Sequence, residues 1–147
     1  MKITAPFALL AAATLSACQP AADTAPEISD PWARATVEGQ MMAAAYVTIT
    51  NPGTQTLRVT KVETPVAASA SFHRSMVENG VATMKALEGG LVVDGGETAV
   101  LEPGSNHIMI EGLKAPLEAG STVPVTFTFE DGTTAEFDLA VVGAGER

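Results

Sequence analysis

From Glu38 to Gly132 the chain is cut by turn signals at short intervals. They are Glu38-Gly39, Asn51-Pro52-Gly53, Asn79-Gly80, Glu88-Gly89-Gly90, Asp94-Gly95-Gly96, Pro103-Gly104-Ser105-Asn106 and Asp131-Gly132. Glycine and asparagine supply the positive φ of tight turns, and proline presets φ for their first corner. The runs between them are short and β-prone: Trp32–Val37, Ala43–Thr50, Thr56–Glu63, Ala67–Met76, Val81–Leu87, His107–Leu113, Ser121–Glu130 and Thr133–Val142, with shorter pieces at Leu91–Val93 and Glu97–Glu102. In Thr56–Glu63, strict alternation puts Leu57, Val59 and Lys61 on one side and Arg58, Thr60 and Val62 on the other. No segment carries an amphipathic helix of three turns. About nine short strands at this spacing predict an all-β protein, an antiparallel sandwich or barrel.

The chain has 147 residues, of which 46% are hydrophobic, enough for one core. Aromatics are only 5%, so Val, Ala, Leu and Ile must fill most of it. The net charge of −9 argues against nucleic acid and against adhesion to anionic lipid. Residues 1–17 read as an export signal: Lys2, an apolar run, then small residues. The run is too short and Ala-rich for a good spanning helix. Leu15-Ser16-Ala17-Cys18 resembles the bacterial lipobox, which implies cleavage before Cys18 and lipidation of the only thiol in the chain. An ordinary signal peptide with a chance cysteine is the alternative. Residues 18–30 are polar, aperiodic and rich in Ala and Pro, and read as a tether. The expected domain spans 31–143, with a short tail at 144–147.

Both histidines and three of the six methionines lie between His73 and Met109. His107 and Met109 are two apart on a predicted strand and so share a face, while Ile108 and Ile110 point to the core. A two-residue loop at Asn79-Gly80 pairs Ser75 with Met84 and puts His73 on the face of Met84. Diagonal neighbours of that kind are roughly 7–8 Å apart at the backbone, a span that His and Met bridge around one ion. Met76 then points to the opposite face. A three-residue loop would reverse the parity and bring Met76 beside Met84, so Met76 is the reserve ligand. Neutral imidazole and thioether together favour Cu(I) over Zn(II), Ca(II) or Mg(II). Singly, each residue has a plainer role, since strand methionines mostly fill cores and lone histidines mostly sit on surfaces.

The pattern His73, ten residues, Met84, twenty-two residues, His107-Ile108-Met109 resembles the periplasmic copper chaperones of the PCuAC type. The second gap is one residue longer than the family pattern and lies among turns. The flanks agree: Asp30-Pro31-Trp32-Ala33-Arg34-Ala35, Ala44-Ala45-Tyr46-Val47-Thr48-Ile49-Thr50-Asn51, Gly112-Leu113-Lys114-Ala115-Pro116-Leu117 and Val123-Pro124-Val125-Thr126-Phe127. The resemblance covers Trp32 to Val142. It implies a cupredoxin-like Greek-key β-sandwich binding one Cu(I) through His73, Met84, His107 and Met109. It also implies delivery to the CuA centre of cytochrome c oxidase subunit II, alongside a Sco-type thiol chaperone. The location implied is the periplasm, on a membrane through lipidated Cys18, and Gln19 after the cysteine leans toward the outer membrane. The tail rich in His and Met found in some relatives is not expected here, since the chain ends VVGAGER.

Four rival functions compete with this one. A blue-copper carrier needs a Cys thiolate in the domain, and Cys18 lies far from it. Nothing in the carboxylates or hydroxyls forms a catalytic constellation, so no enzyme is expected. A metal-free structural lipoprotein and a copper storage or resistance protein stay open.

Overall fold

The computed structural model describes residues 25–147. The expected signal, Cys18 and most of the tether lie outside the described residues. Ten strands follow one another in the described chain: β1 Glu27–Arg34, β2 Met42–Thr50, β3 Leu57–Glu63, β4 Ala67–Glu78, β5 Val81–Ala86, β6 Leu91–Val93, β7 Thr98–Val100, β8 Asn106–Leu113, β9 Thr122–Phe129 and β10 Thr134–Val142. The sheet order is β5-β4-β8-β2-β1-β10-β9-β3-β6, with β7 on β2 and a β3–β4 pairing that closes a barrel-like sandwich. The all-β, cupredoxin-like reading of the sequence is borne out. The neighbours β4–β8, β8–β2 and β1–β10 are distant in sequence and require crossovers. One departs from the antiparallel expectation: β1 and β10 run parallel, with Trp32 opposite Ala140 and Arg34 opposite Val142. A parallel pair needs a long connection, and the first and last strands have almost the whole domain between them.

The core is aliphatic, as the composition requires. Ile49, Ile108, Ile110, Leu139 and Val47 are fully buried around Phe127. Phe127 stacks on Phe72 at 5.5 Å and on Phe137 at 4.8 Å between ring centroids.

Two sequence expectations need correction. The fold begins at Glu27 rather than 31, because Glu27, Ile28 and Ser29 pair with Thr50, Ile49 and Thr48. The register shifts between Ser29 and Trp32, where Asp30 takes a positive φ of 49°. This bulge hides a continuous strand behind an Asp-Pro that reads as a loop. The alternation in β3 also breaks. A register shift between Val59 and Lys61 brings both Val59 and Val62 into the core, and Lys61 turns outward to pair with Glu63 at 2.7 Å.

Candidate metal centre

The Asn79-Gly80 turn sets the first half of the site. Asn79 and Gly80 have φ of 53° and 78°. Positive φ at both corners is the requirement of a two-residue hairpin whose twist matches its strands. The β4–β5 register follows: Glu78 opposite Val81, Met76 opposite Thr83, Ser75 opposite Met84 and His73 opposite Ala86. His73 and Met84 are therefore diagonal neighbours on one face. Met76 shares the other face with Arg74 and Phe72, so the two-residue register leaves the reserve ligand on the far side of the sheet.

β8 brings the second half. It lies antiparallel to β4 with His107 opposite His73, Met109 opposite Ser71 and Ile108 opposite Phe72. Directly opposed residues share a face, so His73, Met84, His107 and Met109 stand together on the outer side of β5-β4-β8. The two imidazole rings are 6.0 Å apart between centroids and tilted by 38°. Ile108 and Ile110 point the other way and are fully buried, as the alternation requires.

The face is less open than the sequence suggests. Met84 is 51% exposed on the edge strand, but His107 is only 4% exposed. On the β2 side the register continues toward large aromatic residues. Ala44 pairs with Met109, which carries Tyr46, two residues on, alongside His107. Tyr46 pairs with Trp32, and their rings stack at 4.4 Å with both residues buried. Burial pushes the Tyr46 hydroxyl above its ordinary pKa, against a smaller opposite pull from Arg34. The Arg147 guanidinium sits 5.6 Å over the Trp32 ring. Trp32 and Tyr46 thus form an aromatic pair on the strands next to β8.

Two serines, both missed in the sequence reading, orient the imidazoles. His107 Nδ1 is 3.2 Å from the Ser105 carbonyl, which only accepts, so the proton sits on Nδ1 and the lone pair on Nε2. Nε2 is buried and has no hydrogen-bond partner. His73 Nε2 is 2.9 Å from Ser71 Oγ. The period of two carries the Ser71 signal, since Ser71-x-His73 on a strand shares a face. Hydrogen bonds that fix ring orientation are the usual support of metal-binding histidines.

The donor set is soft and neutral. Among the described residues no group of three or more His, Cys, Asp or Glu comes together, so no harder ligand cluster competes. Two imidazoles and two thioethers match a monovalent soft cation and suit Ca(II) or Mg(II) poorly.

Comparison with known proteins places the fold. The LpqE-like family, described as "Putative lipoprotein LpqE-like", matches residues 27–141. "Putative lipoprotein Lxx21020" of Leifsonia xyli subsp. xyli is 37% identical over 115 residues, 78% of this chain and 68% of that protein. Among solved structures, the copper-bound PCuAC domain from PmoF2 superposes with a TM-score of 0.68 at 22% identity, over 80% of this chain and 92% of that one. The Cu(I) form of DR1885 from Deinococcus radiodurans superposes with a TM-score of 0.65 at 28% identity, over 89% and 85%. The fold is that of PCuAC domains, and the chain belongs to the LpqE-like lipoprotein family.

Proposed function

We propose that this chain is an exported, lipid-anchored copper chaperone that carries one Cu(I) between His73, Met84, His107 and Met109. The observation that carries the reading is the buried, unpartnered Nε2 of His107. A buried nitrogen lone pair without a partner costs free energy, and a metal cargo would supply the missing bond. His73 across the ladder and a methionine on either side supply the remaining donors. The solved copper-bound PCuAC domains of the same fold support the choice of metal.

The arrangement suits release as well as capture. Thioethers need no deprotonation and form no disulfides in an oxidising compartment. Met84 is half exposed on an edge strand, whereas His107 is buried and held by the Ser105 carbonyl. An incoming acceptor ligand would displace Met84 first and the imidazoles later, by ligand exchange at constant oxidation state. The acceptor we propose is the CuA centre of cytochrome c oxidase subunit II, with a Sco-type thiol chaperone alongside. The setting is the periplasm, with lipidated Cys18 holding the protein on the outer membrane.

The test is titration of the purified protein with Cu(I) against a competing chelator. Tight one-to-one binding, weakened by His73→Ala and by Met84→Leu, is expected. Binding indifferent to both changes would overturn the site. Delivery is tested by oxidase activity in a deletion strain under copper limitation, where unchanged activity would count against it.

A further inference from the structure

The outer face of the site does not end at Met109. The β2–β8 register sets Met42 opposite Glu111 and Ala44 opposite Met109. On the other side of β8, Ser69 stands opposite Glu111 and Ser71 opposite Met109. Residues two apart share a face, so Met42, Met109, the two histidines and Met84 stand on the same side of β2-β8-β4-β5. They occupy four successive rungs, with Met42 at one end and Met84 at the other. Ala44, Ser69 and Ser71 flank the path from Met42 to Met109 on the neighbouring strands, and all are small. Small side chains therefore line the register positions between Met42 and the imidazoles.

Met42 itself has no packing role to explain it. It is 49% exposed, although its strand neighbours Ala43 and Ala45 are buried in the core. Its register position sets an exposed thioether opposite a carboxylate and one rung from a proposed copper ligand. Met42 and Met109 are diagonal neighbours, roughly 7–8 Å apart at the backbone. Two flexible methionine side chains close that distance around one ion.

We infer that Met42 is a receiving ligand for Cu(I). With Met109, and with the Glu111 carboxylate attracting the cation, it forms a two-thioether site that captures incoming copper and passes it to the histidines. This deepens the function proposed above and rests on it. The transfer is ligand exchange without change of oxidation state. The ion leaves the Met42 sulfur as the His107 Nε2 lone pair takes its place, and Met109 holds the ion throughout. Met42 is absent from the final coordination sphere, so it governs the rate of loading rather than the affinity.

The test uses the full chain with Met42→Leu, Met41→Leu and Met109→Leu. Met41 lies one residue before β2 and is 56% exposed, so it controls for an exposed methionine outside the β2–β8 register. Stopped-flow transfer of Cu(I) from a chromophoric chelator reads the rate, and equilibrium competition reads the affinity. Met42→Leu should slow loading about tenfold, the lower end of the loss when a supporting group leaves a metal site. Its equilibrium affinity should stay within about twofold of wild type, and Met41→Leu should alter neither. Ag(I), a closed-shell surrogate, should shift the ε-methyl NMR signals of Met42 and Met109 together in a His73→Ala, His107→Ala protein, whose folding is checked in the same spectra. Unchanged loading in Met42→Leu, or a silent Met42 methyl, overturns the inference and leaves the four-ligand site standing. An affinity loss in Met42→Leu equal to that in Met109→Leu makes Met42 a resident ligand and also overturns it. Failure of the wild-type protein to bind Cu(I) removes the proposed function as well.

Discussion

His107 and Ile108 are adjacent in β8 and face opposite sides of the sheet, so alanine at each separates the site from the core. Ile108 is fully buried opposite Phe72. Truncating a buried Ile to Ala costs about 2–5 kcal/mol. For a domain of about 120 residues each kcal/mol moves Tm by roughly 3–6 °C. Ile108→Ala should therefore lower Tm by about 6–30 °C, with a central value near 15 °C. His107 is nearly as buried, yet its balance differs. Alanine there loses ring packing and the hydrogen bond to the Ser105 carbonyl, worth about 0.5–1.5 kcal/mol. It also removes a buried, unpaired Nε2, whose desolvation costs about 1–3 kcal/mol. These terms largely offset, and the metal-free His107→Ala protein should melt within about 5 °C of wild type. Differential scanning calorimetry in the presence of a chelator makes the comparison. Repeating the scans with Cu(I) should raise Tm for wild type and Ile108→Ala but far less for His107→Ala, since a ligand stabilises only the state it binds. A metal-free His107→Ala protein that falls as far as Ile108→Ala would rule out this offset and make His107 a structural residue.

Other positions separate fold from function in the same way. Met84→Leu conserves volume on an exposed strand and should cost less than about 1.5 kcal/mol on thermal melting, while weakening Cu(I) binding by about tenfold or more in chelator competition. Asn51→Ala should cost about 2–3 kcal/mol by urea unfolding, because its buried amide donates to the Gln55 and Val93 carbonyls at 2.8 and 3.0 Å and accepts from Gly53 N–H. Gly90→Ala should cost more than about 3 kcal/mol, since φ is +89° and a Cβ would lie 2.0 Å from the Val59 carbonyl oxygen. The Arg147 guanidinium, hydrogen-bonded to Asp30 at 2.5 Å, holds that carboxyl below its ordinary value of 3.8. A depressed folded value means the contribution is present above the unfolded value and lost as pH falls through the lower folded one. Fluorescence of Trp32, the only tryptophan, should therefore change with a midpoint below 3.8, and Arg147→Ala should abolish that step.

Local chemistry makes much of the site legible in the sequence. The Asn79-Gly80 turn dictates its own register, because few other residues accept positive φ at both corners. The shared face of His73 and Met84 and the opposite face of Met76 follow from it. Alternation likewise separates His107 and Met109 from the buried isoleucines. Long-range pairing is not legible. His73 meets His107 because β8 inserts between β4 and β2, an order no local signal encodes. The stacked Trp32–Tyr46 pair is likewise assembled from β1 and β2, which no local signal joins to β8. Bulges hide the β1 start at Glu27 and the inward turn of Val62, since one irregular residue breaks the period that pattern reading relies on.

Two imidazoles and two thioethers on the outer face of β5-β4-β8 should together hold one Cu(I). Cu K-edge X-ray absorption of the one-to-one complex reads that coordination most directly. Two sulfur and two nitrogen scatterers are expected, with one sulfur lost in Met84→Leu and one nitrogen lost in His73→Ala. A coordination shell without sulfur, or one unchanged in both variants, would contradict it.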